Sequence, residues 1–272
     1  MNILGKAFFL AFLLSFVVSC GRPGAQNSNS IANVVQKAVG TAPLPQDVKI
    51  SSPDGVVLVG TLFESEKANS PGLLLLHQWQ SDRHSWDDFA KDLQNDGFNV
   101  LTIDGRGFGD STKRSDGTAV AANRTDADVK AMLGDVDSAF SFLSKQSKVD
   151  ASRLGIIGAS YGSSLALIYA ADHPNVAAIA LLSPGTNYFG NMHTGPAISK
   201  YGARPSFMAS AEDDPDSNKA VVELAALTTE PNRAVVVSVP KGGHGTALLK
   251  VDEVRKPLAA FFKERLGIQP QK

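Results

Sequence analysis

The sequence has little cysteine and little net charge. Cys20 is the only cysteine among 272 residues, so no disulfide can form within the chain. The chain has 26 Lys and Arg against 27 Asp and Glu, a formal net charge of −1, which offers no basic surface to nucleic acid. It also lacks an H-E-x-x-H pair and a P-loop. These absences disfavour metal-assisted hydrolysis and nucleotide binding, and we expect no metal and no organic cofactor.

No apolar run is long enough to span a bilayer as a mature helix. The longest, from Ala7 to Val18, follows Lys6 and has the pattern of an export signal. Its end, Val17-Val18-Ser19-Cys20, resembles the lipobox of bacterial lipoproteins, in which the cysteine is acylated and becomes the first mature residue. The resemblance implies a signal peptide over residues 1–19 and a lipid anchor at Cys20. The alternative is an ordinary secretory signal with an incidental cysteine.

The residue after the cysteine bears on localisation. The residue after Cys20 is Gly21 and not an aspartate, a feature that resembles lipoproteins sorted to an outer membrane. We therefore expect a cell-envelope protein that faces the periplasm if the host is Gram-negative. Residues 20–45 are rich in Gly, Ser, Asn, Gln, Ala and Pro, which predicts a tether. Apolar residues at helical spacing predict a short helix within it, over 31–39. Residues 46–268 are sufficient for one folded domain.

Residues 46–268 alternate between strand and helix patterns. The continuous apolar run 72–77 is typical of a strand buried on both faces, and Thr125 begins a long amphipathic helix. Alternation of this kind predicts an α/β domain with a mostly parallel sheet and helices on both faces. Ligands bind such sheets at the carboxyl ends of the strands. Further strands are predicted at 48–51, 56–63, 99–104, 154–157, 176–182, 206–211 and 234–239, and helices at 86–95, 125–143, 163–170, 218–227 and around Leu258–Leu266, with Pro257 starting or kinking the last.

Ser160 is the candidate nucleophile. It lies in Gly158-Ala159-Ser160-Tyr161-Gly162, between an apolar strand and a helix pattern. The G-x-S-x-G motif needs small flanking residues because the strand-to-helix turn is tight and its serine is strained. We therefore expect an exposed serine hydroxyl at the apex of this turn.

His244 is the candidate general base. A serine hydroxyl needs a base within hydrogen-bond reach. His244 follows the last apolar strand within Lys241-Gly242-Gly243-His244-Gly245, where the glycines allow a turn over the sheet edge. The other histidines lie in polar loops or at the ends of a helix or strand, and we expect solvated, capping or structural roles for them: His77, His84, His173 and His193.

An acid must orient the base, and the strand ending near Ala211 runs into Glu212-Asp213-Asp214. We favour Asp214, with Asp213 as the alternative. The order Ser160, Asp214, His244 is that of the α/β-hydrolases.

From about Val48 to Leu266 the chain resembles the α/β-hydrolase superfamily, and within it the dienelactone-hydrolase-like and small serine esterase branches. Besides the serine motif, the resemblance rests on Leu76-His77-Gln78-Trp79 and on the segment 103–111, I-D-G-R-G-F-G-D-S. It implies an oxyanion hole formed by the backbone N–H groups of Tyr161 and Trp79. Gln78 stands where the family usually has glycine, and its side chain could also donate. The nucleophile differs from dienelactone hydrolases proper, which use cysteine.

The resemblance implies hydrolysis of carboxylic esters through an acyl-enzyme. The segment 184–205 is too short for a large lid, so we expect small or medium acyl groups and a small-molecule ester as partner. The sequence leaves the oligomeric state open. It also leaves open two other readings: an amidase or peptidase with the same three residues, and a catalytically silent binding lipoprotein on this fold.

Overall fold

The structure is a computed structural model that describes residues 42–229 and 234–268. The predicted signal peptide, Cys20, the helix predicted at 31–39 and most of the predicted tether lie outside these residues. Within the described part of the chain, no helix is both long enough and apolar enough to cross a bilayer.

Eight of the described strands form one twisted sheet in the order β1-β2-β4-β3-β5-β6-β9-β10. Only β2 runs against its neighbours, and all other pairs beyond it are parallel. This is the mostly parallel sheet that the alternating pattern predicts. The strands of this sheet are β1 (Gln46–Ser51), β2 (Val57–Phe63), β3 (Ser70–Leu76), β4 (Asn99–Ile103), β5 (Val149–Ala159), β6 (Val176–Leu182), β9 (Ser206–Ala211) and β10 (Val235–Val239), and β7 (Asn187–Tyr188) pairs with β8 (Met192–His193) in a separate hairpin.

Helices cover both faces of this sheet. They are α1 (Asp87–Asn95), α2 (Asp126–Ser144), α3 (Tyr161–Asp172), α4 (Thr194–Tyr201), α5 (Pro215–Ala226) and α6 (Asp252–Arg265), with 3₁₀ turns at Arg83–Trp86 and Gly245–Lys250. As predicted, Thr125 caps α2, accepting a hydrogen bond from the Asp128 N–H. Pro257 lies inside α6, which begins five positions earlier at Asp252, so the proline does not start the helix.

The alternation of β3 side chains divides the core in two. Leu74 and Leu76 pack in one cluster with α2, α3, α4 and α5, whereas Leu73 and Leu75 pack in the other with α1 and α6. All four leucines are buried, which explains the continuous apolar run, because a central strand covered on both faces has no solvent side.

The connection between β6 and β9, residues 184–205, is called the cap segment here. It contains the β7–β8 hairpin and α4, and no larger insertion. The residues that follow the parallel strands β3, β5, β6, β9 and β10 meet beneath this segment, at the carboxyl edge of the sheet.

Candidate active site

Ser160 lies at the apex of the turn between β5 and α3. Its φ of 55° and ψ of −123° are strained for a residue with a side chain. The Ser160 N–H donates to the Leu182 carbonyl at 2.8 Å, and the Ser160 carbonyl accepts from the Ser163 N–H at 2.9 Å. The strained backbone is thus held by β6 on one side and by the first turn of α3 on the other.

The two glycines of the motif are required by backbone contacts. A Cβ on Gly158 would lie 2.2 Å from the Gly162 carbonyl oxygen, and a Cβ on Gly162 would lie 2.6 Å from the carbonyl oxygens of Leu76 and His77. These neighbours are backbone atoms that cannot rotate away, so any side chain at either position would force the strand and helix apart.

The structure brings together the serine, histidine and aspartate favoured by the sequence. His244 Nε2 lies 2.7 Å from Ser160 Oγ, and His244 Nδ1 lies 2.6 Å from Asp214 Oδ2. With Nδ1 protonated and donating to Asp214, Nε2 is free to accept the hydroxyl proton. The Asp214 side chain is 16% exposed and the His244 side chain 45% exposed, so the imidazole is reachable from solvent while its acid is mostly covered.

Asp213 has different partners from Asp214. Its Oδ1 accepts from the backbone N–H groups of Gly242 and Gly243, at 3.1 Å each. This carboxylate therefore holds the loop that carries His244 but does not contact the imidazole.

Two further side chains hold the same loop from other strands. Ser183 Oγ, after β6, accepts from the Gly245 N–H at 2.9 Å, and Gln78 Oε1, after β3, accepts from the Thr246 N–H at 3.2 Å. Gln78 thus links the loop after β3 to the loop that carries the base.

The loop after β3 is ordered by His77. The His77 Nδ1–H donates to the Gln78 carbonyl at 2.7 Å, and Nε2 accepts from the Gly105 N–H at 2.9 Å. Burial lowers the pKa of His77, which keeps the ring neutral and agrees with one donating and one accepting nitrogen.

Among the described residues, the N–H groups of Trp79 and Tyr161 have no acceptor, which leaves both available to a bound oxygen atom.

Comparison with known proteins agrees with this architecture. Residues 71–201 match the family described as alpha/beta hydrolase fold. The chain has the α/β-hydrolase fold. An uncharacterized protein of Mycobacterium tuberculosis is 29% identical over 231 residues, covering 78% of this chain and 77% of the relative.

Solved structures similar to this α/β-hydrolase fold include an esterase and a dienelactone hydrolase. An esterase of Pyrococcus furiosus has a TM-score of 0.66 at 17% identity, covering 85% of this chain and 96% of the esterase. A dienelactone hydrolase of Anabaena variabilis has a TM-score of 0.61 at 18% identity, covering 83% of this chain and 97% of the enzyme. At these identities the similarity concerns the fold.

In this α/β-hydrolase fold, an aromatic cluster adjoins the nucleophile through Tyr161, the next residue in the chain. The Trp79 ring makes edge contacts with Phe108, Tyr161 and Phe189, with centroids 4.8–5.3 Å apart. The Tyr188 hydroxyl, from the cap segment, lies 3.2 Å from Ser160 Oγ and 3.1 Å from the Ser183 carbonyl. Burial raises the pKa of Tyr188, so the phenol stays protonated. The serine therefore has one phenol hydroxyl in contact with its Oγ and an aromatic cluster beside it.

Arginine–carboxylate pairs, buried except for the exposed Asp110, hold the segment 103–111. Arg83 pairs with Asp104 at 2.5 Å and with Asp110 at 2.8 Å, and Arg106 pairs with Asp135 at 2.6 Å. These carboxylates are neutralised by arginines and do not reach the nucleophile, so their role is to hold the loops.

The sequence did not reveal the contacts of Asp213, Ser183 and Tyr188. Asp213 belongs to an acidic cluster at the end of a strand, which the sequence shows. Its partners, the N–H groups of Gly242 and Gly243, depend on how the loop that carries His244 folds. Of the remaining histidines, His84 pairs with Asp87, and the His173 ring stacks on a tyrosine of α3.

Proposed function

We propose that this protein is a serine hydrolase of carboxylic esters, with Ser160 as nucleophile, His244 as general base and Asp214 as the acid that orients it. The observation that carries the proposal is the continuous chain of contacts, 2.6 Å and 2.7 Å, from a carboxylate through an imidazole to a serine hydroxyl on a strained turn. Serine hydroxyls are weak nucleophiles without such a base, and this arrangement supplies one.

In the proposed reaction, Ser160 Oγ attacks the ester carbonyl carbon while its proton moves to His244 Nε2. Asp214 accepts a hydrogen bond from His244 Nδ1–H and stabilises the imidazolium. The tetrahedral intermediate then expels the alcohol, which takes the proton from Nε2, and an acyl-serine remains. Water repeats the sequence: its proton goes to His244, its oxygen attacks the acyl carbon, and the acid leaves as Ser160 regains its proton.

The developing oxyanion would be bound by the N–H groups of Trp79 and Tyr161, which have no acceptor within the described residues. One such donor is worth about 100-fold to 1000-fold in turnover. Since Gln78 Oε1 accepts from Thr246, we assign the hole to the two backbone groups and regard Gln78 as its support.

We propose small or medium acyl groups as substrates. The cap segment is short, and Tyr188 lies 3.2 Å from the nucleophile, which limits the space above the serine. A series of p-nitrophenyl esters from acetate to palmitate measures this preference. A kcat/KM that rises steadily to the longest chain would contradict it. A matched pair of an ester and an anilide with one acyl group separates esterase from amidase activity.

A fluorophosphonate probe tests the proposed nucleophile without a natural substrate. We expect mass spectrometry to place the label on Ser160, and Ser160→Ala to lose labelling together with about 10⁴-fold or more of esterase turnover while its circular dichroism is unchanged. Labelling at another residue, or full activity in purified Ser160→Ala, would refute the assignment.

We also propose, from the lipobox resemblance, that Cys20 is lipidated and anchors the protein to the envelope membrane. Metabolic labelling with a palmitate analogue, followed by membrane fractionation, tests it against Cys20→Ser. Equal labelling of both proteins, or recovery of the original protein in the soluble fraction, would contradict the anchor.

A further inference from the structure

Arg124 lies on the aromatic cluster beside the nucleophile. Its guanidinium carbon is 4.9 Å from the centroid of the Trp79 ring and 4.9 Å from that of the Phe189 ring. The two rings contact each other, with centroids 4.8 Å apart. A guanidinium packed on ring faces keeps its N–H edge directed away from them, because the face and not the edge interacts with the π-system.

This charge has no protein counterion in the described part of the chain. Arg124 is exposed, and no described carboxylate lies within ion-pair distance of its guanidinium. The acids nearest in sequence are engaged elsewhere, since Asp126 accepts from Asn191 and Asp128 from Thr125. By contrast, the buried arginines Arg83 and Arg106 are each paired with carboxylates.

The position of Arg124 is held from the cap segment. Asn191 Nδ2 donates to the Arg124 carbonyl at 3.0 Å and to Asp126 Oδ1 at 2.9 Å. Both rings beneath the guanidinium border the reaction centre: Trp79 carries a proposed oxyanion donor, and Phe189 follows Tyr188, which contacts Ser160 Oγ. The cation therefore lies on two rings whose residues adjoin the reaction centre, one through its backbone N–H and the other through the preceding tyrosine.

We propose that Arg124 forms a carboxylate subsite and that the preferred substrates are esters carrying a carboxylate remote from the scissile bond. The single cation on these two rings matches one negative charge on a substrate. A planar guanidinium binds a carboxylate through two parallel hydrogen bonds. This inference rests on the proposed esterase function and names its substrate class. The carboxylate lies either on the acyl side of the ester or on the alcohol side.

Paired substrates isolate the charge. Monoethyl adipate and ethyl adipamate differ only by a carboxylate against a primary amide on the acyl side. The acetate esters of hydroxypentanoic acid and of its primary amide make the same comparison on the alcohol side. We expect kcat/KM to favour the carboxylate on one of the two sides by about tenfold, as for a partly exposed charge-assisted pair, and the preference to weaken in salt.

Three variants assign that preference. Arg124→Met keeps the apolar stem on the rings and should abolish the carboxylate-to-amide ratio, whereas Arg124→Lys keeps the charge and should retain part of it. Lys91→Met removes one positive charge from an exposed position of α1, which packs on the opposite face of the sheet, and should leave the ratio unchanged. An unchanged ratio in Arg124→Met, or an equal loss on both members of a pair, would show that Arg124 only holds the cap segment and would overturn the subsite.

Binding to Ser160→Ala separates this inference from the proposed function. Calorimetry with that protein needs no turnover. Tighter binding of a half-ester than of its amide, lost in the Ser160→Ala, Arg124→Met double variant, would support the subsite even if the native protein hydrolysed neither. Equal binding of half-ester and amide would refute the subsite even if both were hydrolysed.

Discussion

Asp213 and Asp214 are adjacent and carry the same charge, yet they have different partners. Asp214 Oδ2 lies 2.6 Å from His244 Nδ1, whereas Asp213 Oδ1 accepts from two backbone N–H groups of the loop before the histidine. The same substitution at each position therefore removes one negative charge from nearly the same place. Any difference between the two variants reports the contact and not the local field.

Asp214→Asn should lower kcat by about 10⁴-fold, because an amide at this position stabilises the wrong imidazole tautomer and no longer stabilises the imidazolium. Asp213→Asn keeps an oxygen for Gly242 and Gly243, so only the charge-assisted part of two hydrogen bonds is lost. A loss of about 1 kcal/mol in loop order corresponds to roughly fivefold in kcat. The expected ratio between the two variants is therefore about 1000-fold or more.

The assay is kcat on p-nitrophenyl acetate, with urea unfolding to show that both variants remain folded. Asp213→Ala provides a third point: it removes both acceptor interactions, and it should lower kcat more than Asp213→Asn while remaining far above Asp214→Asn. Equal losses for the two Asn variants would refute the division of roles, and a larger loss for Asp213→Asn would reverse the assignment.

Three other predictions concern the support of the site. Gln78→Met removes the acceptor of the Thr246 N–H and should lower kcat/KM by about tenfold with little change in the free energy of unfolding; unchanged kinetics would exclude the link between the loops. Gly162→Ala should lower the free energy of unfolding by roughly 1–3 kcal/mol, measured by urea denaturation, because its Cβ meets backbone atoms. The control Gly134→Ala on α2, whose Cβ meets no other atom, should raise the free energy of unfolding by about 0.5–1 kcal/mol. Equal changes in the two variants would contradict the backbone clash. Burial lowers the pKa of His77 below its usual 6.5, so above pH 6.5 the ring is neutral folded and unfolded. As the pH falls below 6.5, His77 takes up a proton in the unfolded chain first, so the free energy of unfolding should decline by at most about 1.4 kcal/mol per pH unit until the folded ring also protonates. His77→Gln should remove this contribution. The same slope of unfolding free energy against pH in the variant would contradict the prediction.

The turn around Ser160 was predictable because its constraints are local. The contacts that exclude side chains at Gly158 and Gly162 follow from one strand turning directly into one helix, and the strand and helix patterns on either side are visible in the sequence. The burial of β3 on both faces was predictable for a similar reason, since its unbroken apolar run has no residue suited to water.

Which of Glu212, Asp213 and Asp214 contacts His244 could not be predicted from local sequence. All three follow β9, and their order along the chain says only that one of them could reach a base. The turn in which the Asp214 N–H donates to the Ala211 carbonyl directs that side chain toward the imidazole. The neighbouring carboxylate consequently faces the loop backbone.

The sequence alone determined the α/β architecture, the strained serine and the place of the candidate base, because periodicity and short motifs act over a few residues. Only the tertiary structure decided which carboxylate meets His244, that Gln78 links two loops, and that Arg124 lies on Trp79 and Phe189 without a counterion among the described residues. Those relations join segments that are far apart in the chain and meet only because parallel strands end at one edge of the sheet.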